Sequence, residues 1–498
     1  MCYKFIIYTT SSPFSLEQNK SQREMVKETE LIFIPVPSTG HLLVNIEFAK
    51  RLISFDRRIN TITILQLHSP TSPNAAVFAK SLVASHPQIR LHDLPVLDDY
   101  PPLDLFYRAP EAYIVQLVKR TTPLIKEAVS SIVAESPTSR VAGLVLDFFC
   151  NSLIKDVGDE LNLSSYIFLT CNARYLSMMK YLPDRHRRVA SKLDWSSGDE
   201  ELAIPGFINS IPAKFLPSGL FKEEAYEAYV DLSPRFGDAK GILVNSVAEI
   251  EDYTFRYFSQ QREEDYPPVY PVGPILSLED RASPNEEDRD RIVRWLEEQP
   301  ECSVVFLCFG SRGSVDELQV KEIAQALEVV GCRFLWSIRT GPVETSDPTD
   351  VLPEGFMGRM AGKGLVCGWA PQVEVLEHKA IGGFVSHCGW NSTLESLWFG
   401  VPVATWPMYA EQQLNAFTLV KELGLAVDLR MDYVSGRGGL VTCDEIARAV
   451  RALMEGGEGR RVKVKEMCDA ARKAVMDGGS SSLATARFID ELVEDGAG

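Results

Sequence analysis

The chain has 498 residues, 45% of them hydrophobic and 24% charged, with a formal net charge of −17 at pH 7. This length exceeds one average domain, so we expect two or three domains or two large ones. The acidic balance argues against a nucleic-acid partner, because a phosphate backbone would be repelled. No apolar run reaches the roughly 18 residues that a membrane-spanning helix needs.

The ten cysteines are scattered, without a C-x-x-C pair and without a histidine at zinc-ligand spacing. This pattern indicates reduced thiols in a reducing compartment, so we expect a cytoplasmic protein without a bound metal. Residues 1–24 contain a short apolar patch followed by polar residues, and they lack the long apolar core of a secretory signal. We therefore predict a disordered N-terminal extension over 1–24, with Met25 as an alternative start.

The first predicted unit spans residues 25–275 and alternates strands with helices. An apolar run at 31–36 predicts a buried strand, and a helix with apolar residues three and four positions apart follows from His41. Strands separated by helical segments indicate an α/β domain with a parallel sheet. Further strands are predicted at 61–67, 141–149, 166–169 and 241–244.

Residues 276–290 are polar and charged and predict an interdomain linker. A second α/β domain is predicted over 291–476, with a polar loop at 340–352. The final segment, 477–498, contains an amphipathic helix at 484–493. The second domain has predicted strands at 304–309, 334–338, 383–386 and 401–406, and predicted helices at 292–298, 317–330, 392–399, 442–454 and 462–476.

The clearest candidate site follows the predicted strand 383–386. The strand runs into His387, turns, and starts a helix near Asn391. The first turn of a helix exposes unpaired N–H groups at its positive end, which favours anion binding, and His387, Asn391 and Ser392 add side-chain donors. Glu395 lies one turn deeper and suits a pair of vicinal hydroxyls such as a ribose edge. The alternative is an ordinary helix start in which Asn391 and Ser392 are capping residues.

Two weaker signals accompany this site. The turn Gly310-Ser311-Arg312-Gly313 follows a predicted strand and is a second candidate phosphate loop, although it is neither a dinucleotide fingerprint nor a P-loop. Trp369 could stack on a flat base or could be a core residue. The residues alone leave both questions open.

The 44-residue stretch 369–412, WAPQVEVLEHKAIGGFVSHCGWNSTLESLWFGVPVATWPMYAEQ, resembles the signature box of plant secondary-product UDP-glycosyltransferases of family 1. The resemblance extends over nearly the whole chain from about Met25 and points to the branch that acts on phenolics, flavonoids and terpenoids. It implies the GT-B form of the α/β class, in which two Rossmann-like, doubly wound parallel-sheet domains face a central cleft. The segment 477–498 would pack back toward the N-terminal domain.

The resemblance also implies a donor site. Gln412 as the last box residue resembles users of UDP-glucose, whereas Glu411 stands where many relatives have aspartate. The implied contacts are Trp369, Ala370 and Gln372 for uracil; Glu395 for ribose; Ser311, His387, Asn391 and Ser392 for the diphosphate; and Trp390, Glu411 and Gln412 for the sugar.

His41 and Asp147 are the implied catalytic pair. The positive end of the helix near His41 disfavours protonation, so we expect a neutral imidazole that can accept a proton from an acceptor hydroxyl. Asp147 would orient the ring and stabilise the imidazolium that forms. Taken singly, a histidine at a helix start and an aspartate in a strand are also ordinary structural residues.

These inferences predict an inverting transfer from UDP-glucose to a hydroxyl of a small apolar acceptor, giving a β-O-glucoside. UDP-glucose is a co-substrate, and we expect no cofactor, no metal and a monomer. The acceptor cannot be read, because Phe106, Tyr107, Phe148 and Phe149 suit a flat aglycone or a plain core. Three alternatives stay open: an NAD-dependent dehydrogenase without its fingerprint, a glycoside hydrolase with two carboxylates, and a non-catalytic nucleotide-sugar-binding protein.

Overall fold

The computed structural model describes residues 28–135, 139–261, 266–278, 286–339 and 347–495. The predicted extension 1–24 and the alternative start at Met25 lie outside the described residues. The same holds for 279–285 of the predicted linker and for 340–346 of the predicted polar loop.

The amino-terminal half of the described chain is built on a parallel sheet whose strands are buried on both faces; every residue of the strands at 165–169 and 241–244 is buried. The strands in chain order are β1 (Glu28–Ile34), β2 (Ile59–Gln66), β3 (Ile89–Asp93), β4 (Ser139–Asp147), β5 (Ser165–Leu169), β6 (Glu201–Leu202), β7 (Ile211–Pro212), β8 (Gly241–Val244) and β9 (Val269–Pro271). The sheet order is β3-β2-β1-β4-β5-β8-β9, while β6 and β7 form a separate antiparallel pair. The chain reverses direction across the sheet between β1 and β4, and such a switch point opens a crevice at the carboxyl ends of the strands.

The carboxyl-terminal half repeats this design. Its strands are β10 (Val304–Cys308), β11 (Arg333–Ser337), β12 (Gly364–Cys367), β13 (Ile381–Ser386), β14 (Val403–Thr405) and β15 (Ala426–Asp428). They pair in parallel in the order β12-β11-β10-β13-β14-β15. The switch point lies between β10 and β13, so the turn at Gly310 and the segment from His387 emerge side by side.

Helices cover these sheets. None of the described helices is long and apolar enough to cross a bilayer. Their bounds are α1 (Thr39–Phe55), α2 (Ala75–Val83), α3 (Leu103–Arg108), α4 (Pro110–Glu135), α5 (Ala173–Val189), α6 (Glu223–Leu232), α7 (Asp252–Ser259), α8 (Glu286–Glu297), α9 (Glu317–Val330), α10 (Phe356–Arg359), α11 (Gln372–Glu377), α12 (Trp390–Phe399), α13 (Gln412–Phe417), α14 (Cys443–Met454), α15 (Glu458–Ala474) and α16 (Ser480–Asp495).

Most predicted elements are confirmed within a few residues, but the start of the helix predicted at 292–298 is wrong. Helix α8 begins at Glu286 rather than at Ile292, so residues 286–290 are helical. Glu286, Glu287 and Asp288 occupy its first turn, where negative charge is favourable at the positive end of a helix. The short strands β3, β9, β12 and β15 were not predicted, because three to five residues carry little periodicity.

Helix α16 crosses from the second half to the first. Phe488, Ile489 and Leu492 are fully buried in one apolar cluster with Leu31 of β1 and Tyr270 of β9. Complete burial of three large side chains stabilises this contact by several kcal/mol at about 25 cal/mol per Å². The end of the chain therefore packs on the sheet of the amino-terminal half.

Candidate active site

A cleft of about 1040 Å³ lies between the two halves, at the carboxyl ends of both parallel sheets. Both halves line it, so each switch point contributes to one shared site. Every site residue proposed from the sequence lies along it except Asp147, which is fully buried behind His41. The lining residues among those proposed are His41, Ser311, Trp369, Ala370, Gln372, His387, Trp390, Asn391, Ser392, Glu395, Glu411 and Gln412.

His41 and Asp147 are in direct contact. Strand β1 leads into the first turn of α1, which carries His41, and Asp147 is the last residue of the neighbouring strand β4. Nδ1 of His41 lies 2.7 Å from Oδ2 of Asp147, and the hydroxyl of Thr170 lies 3.3 Å from the same nitrogen. The other carboxylate oxygen accepts from the backbone N–H of Phe149 at 3.1 Å. This geometry fixes the imidazole with Nδ1 as the donor, so Nε2 is the nitrogen free to accept a proton.

The expected electrostatic state of His41 was wrong in direction. Burial does lower its pKa, but the negative charge of Asp147, the hydrogen bond to it and the charge of Glu411 raise it further, so the pKa lies above its ordinary value of 6.5. The imidazole is only 23% exposed. The two carboxylates that the fold brings near His41 favour its protonated form and set the direction of the shift. The result is a more basic His41.

The first turn of α12 points into the cleft. Gly389 occupies the capping position without a side-chain hydrogen bond, and Cys388 before it adopts a left-handed conformation with φ of 61°. The first backbone N–H that donates within the helix is that of Thr393, so those of residues 390–392 remain available. The reading of Asn391 as an ordinary capping residue is therefore wrong. Its Nδ2 instead donates across the cleft to the carbonyl of Gly40 at 3.4 Å, next to His41.

His387 lies between two glycines. A Cβ at Gly310 or at Gly389 would come within 2.5 Å of its Nε2, and Gly310 also has a φ of 77°. Burial lowers the pKa of His387 to about 4, so the ring is neutral near pH 7. It can then donate a hydrogen bond to an anion without carrying charge. Ser311 follows Gly310 and is exposed at the cleft, with its carbonyl held by Arg339 at 2.8 Å.

Glu395 and Gln372 form a polar pair deeper in the cleft. Nε2 of Gln372 donates to Oε2 of Glu395 at 2.6 Å and to the hydroxyl of Ser392 at 2.8 Å. Burial raises the pKa of Glu395 to about 7, although the hydrogen bond from Gln372 opposes the shift. Trp369 is partly exposed beside this pair, so the reading of it as a core residue is wrong, and Ala370 is buried next to it. A flat ring and a carboxylate thus lie together, as a nucleoside needs.

The carboxyl-terminal half also lines the cleft with Trp390, Glu411 and Gln412. The indole N–H of Trp390 is occupied by the carbonyl of Asn245 at 2.7 Å, so this residue can offer the cleft only its backbone N–H. The side-chain oxygen of Gln412 accepts from the backbone at residues 408 and 409, which leaves its amide N–H groups to donate. Glu411 is held by Asn415 at 3.4 Å, and burial raises its pKa.

The part of the cleft that the amino-terminal half lines is aromatic. Phe106, Tyr107, Phe148 and Phe149 all line it; Phe148 and Phe149 are also buried, whereas Tyr107 is 80% exposed. Phe148 and Phe149 therefore line the pocket and are also core residues.

Sequence reasoning proposed no role for Thr170 or Glu111, which also line the cleft, and named Arg312 only as part of the glycine turn. Arg312 lies over the ring of Phe106 at 4.7 Å, bridging the two halves. The position of Glu111 on the buried face of α4 was the one signal that could have found it.

Residues 264–456 match the family described as UDP-glucoronosyl and UDP-glucosyl transferase. The chain is 78% identical to flavonol 3-O-glucosyltransferase UGT71C4 of Arabidopsis thaliana, with 95% of this chain and 100% of that protein covered. It is 56% identical to flavonol 3-O-glucosyltransferase UGT71C1 of the same species, over 94% of this chain and 98% of that one.

Solved structures agree in fold and connectivity. UGT71G1 of Medicago truncatula, complexed with UDP-glucose, has a TM-score of 0.87 and 45% identity, with 95% of this chain and 100% of that chain covered. UGT2 of Phytolacca americana, complexed with UDP-2fluoro-glucose and pterostilbene, has a TM-score of 0.79 and 32% identity, over 93% of this chain and 99% of that one.

Near-complete coverage at such identity excludes the dehydrogenase and hydrolase alternatives. The two parallel sheets across one cleft are the GT-B arrangement, and the cleft holds the His41–Asp147 pair opposite the first turn of α12. The chain belongs to the plant family 1 UDP-glycosyltransferases and is a UDP-glycosyltransferase.

Proposed function

We propose that the enzyme transfers glucose from UDP-glucose to a hydroxyl of a flavonol or a similar phenolic acceptor, with inversion at the anomeric carbon. One observation carries this proposal: His41 and the tip of α12 line the same cleft and are joined by the hydrogen bond between Asn391 and Gly40. A base and an anion site that face each other across one crevice suit a reaction that removes a proton and releases a diphosphate.

In the proposed reaction, Nε2 of His41 takes the proton of the acceptor hydroxyl, and the oxygen attacks the anomeric carbon. The bond from that carbon to the diphosphate oxygen breaks, and UDP leaves with the electron pair. The unpaired N–H groups of α12, with neutral His387, Ser311 and Ser392, stabilise the developing charge. Asp147 stabilises the imidazolium.

A single displacement inverts the anomeric centre, so the α-linked donor gives a β-O-glucoside. We further propose that no metal ion is needed, because neutral donors at the helix end serve the diphosphate. Among the described residues, no group of three or more His, Cys, Asp or Glu side chains is arranged to hold a metal ion. The nucleoside contacts that we assign are Trp369, Ala370, Gln372 and Glu395, and the sugar contacts are the backbone of Trp390, Glu411 and Gln412.

The test is an assay of the purified enzyme with UDP-glucose and a panel of flavonols, with and without EDTA, followed by mass spectrometry and by NMR of the product anomer. We expect a β-O-glucoside in both conditions. An α-linked product would refute the single displacement, and activity lost in EDTA and restored by a divalent cation would refute the metal-independent step. Full activity of His41→Ala would refute the base assignment.

A further inference from the structure

The acceptor half of the cleft contains a carboxyl group that none of the roles above uses. Glu111 is the second residue of α4, lines the cleft and is 6% exposed. In the other carboxyl side chains of the described lining, Glu374, Glu395 and Glu411, no fully buried oxygen lacks a hydrogen-bond partner, whereas one does in Glu111. Glu111 is therefore the carboxyl group in this lining that needs a separate explanation.

Its hydrogen bonding is incomplete. Oε1 of Glu111 accepts from the hydroxyl of Tyr229 at a long 3.4 Å, and Oε2 has no partner within the described part of the chain. Lys222 and Arg312 act on Glu111 through their charge, without a salt bridge to it among the described residues. A buried oxygen without a partner is costly, so a ligand that donates to it gains more than it would from a satisfied group.

The local packing makes room for this carboxyl. A Cβ at Gly219 would come within 2.8 Å of Oε1 of Glu111 and of the ring of Tyr229, so glycine is needed there. Burial raises the pKa of Glu111, and either protonation state keeps an oxygen that can accept. Apolar and aromatic side chains line the cleft in this half, among them Phe106, Ile114, Leu117 and Phe148. A polar group in a largely apolar pocket orients a ligand.

Glu111 lies at the far end of a wall that begins at the catalytic base. Ring centroids are 5.8 Å apart between His41 and Phe148, 5.5 Å between Phe148 and Tyr175, and 6.5 Å between Tyr175 and Tyr229. The hydroxyl of Tyr229 then reaches Glu111. An acceptor whose reacting oxygen is at His41 and whose ring follows this wall would present a different group to Glu111.

We propose that Glu111 accepts a hydrogen bond from a second hydroxyl of the acceptor, remote from the one that receives the sugar, and so selects flat phenolics with at least two hydroxyl groups. This inference rests on the proposed function for the identity of the reacting hydroxyl. Tyr229 acts as a positioning residue, because its hydroxyl donates to Oε1 of Glu111.

The test compares 3-hydroxyflavone with a set of dihydroxyflavones. These are isomers of one another, and each carries one further hydroxyl at a different ring position. For each acceptor, kcat/KM with UDP-glucose and Kd in the presence of UDP are measured. We expect at least one isomer to exceed 3-hydroxyflavone by about tenfold in the native enzyme, the effect of one good hydrogen bond. Glu111→Leu should bring that ratio near one, and Glu111→Gln should keep part of it, since an amide oxygen still accepts. Glu127, exposed on the same helix, gives the matched control Glu127→Leu, which should leave the ratio unchanged.

The inference would be overturned if Glu111→Leu left the ratio of Kd values intact. It would also be overturned if Glu111→Leu weakened the binding of both acceptors equally, because a purely structural role does not discriminate between them. An isomer preference that is absent in the native enzyme would also overturn it. If no acceptor is turned over, but Glu111→Leu still abolishes the ratio of Kd values, the proposed function fails and the second-hydroxyl site stands.

Discussion

Replacing Asp147 with asparagine separates the two effects of this carboxylate on His41. Its charge raises the pKa of the imidazole against burial, and its oxygen at 2.7 Å holds the ring with Nε2 facing the cleft. Asparagine has nearly the same shape and can keep the hydrogen bond to the backbone N–H of Phe149. It lacks the charge, and it can present an N–H to Nδ1 and so favour the wrong tautomer.

The two effects change different features of the pH profile. The base must be unprotonated, so kcat/KM rises with pH through the pKa of His41 in the free enzyme. With Asp147 that pKa lies above 6.5, and without its charge burial dominates and lowers it. We therefore expect the acid limb of the Asp147→Asn profile to move to lower pH. The plateau should fall by about 10²- to 10⁴-fold, because general-base catalysis is worth about that much.

The assay is kcat/KM against pH with UDP-glucose and a flavonol, with thermal unfolding as a check on folding. Asp156→Asn, an exposed carboxylate in the same half, is the control and should leave the profile unchanged. Combining Asp147→Asn with His41→Ala should lose little more than His41→Ala alone, because the pair acts as one unit. A plateau within about threefold of the native value, or an acid limb that stays or moves to higher pH, would refute the assigned role of the dyad.

Three further predictions concern the donor half and the join between the halves. Glu395 has a pKa of about 7, so UDP affinity measured by calorimetry should rise between about pH 6 and about pH 8. Glu395→Gln should remove this rise, and an unchanged pH dependence in the variant would count against the ribose contact. Gly310→Ala would place a Cβ 2.5 Å from His387 in a left-handed conformation, so we expect a higher KM for UDP-glucose and a stability loss of about 1 kcal/mol or more; unchanged values of both would contradict the packing. Trp390→Phe removes the bond to the carbonyl of Asn245, so the free energy of unfolding in urea should fall by about 1–3 kcal/mol, and equal stability would show that the bond is dispensable.

The local parts of the site were predictable. An apolar run, a turn and a helical period are all written within about 20 residues, so the tip of α12 could be placed from the sequence, as could the start of α1 that carries His41. The family pattern over 369–412 supplied the proposed donor contacts except Ser311. The orphan N–H groups at a helix start follow from backbone geometry alone, whatever the rest of the chain does.

Tertiary structure decided what depends on distance through space. His41 and Asp147 are 106 positions apart, and only the pairing of β1 with β4 brings them to 2.7 Å. The direction of the His41 pKa shift was missed although the sequence had paired His41 with Asp147, because the strength of that contact and the nearby charge of Glu411 depend on distances that the fold sets. Likewise, no pattern could reveal that the indole of Trp390 is committed to the other half, or that an oxygen of Glu111 lacks a partner. Local order comes from short-range backbone and periodicity rules, whereas electrostatics and hydrogen-bond satisfaction depend on which distant groups the fold brings within a few ångströms.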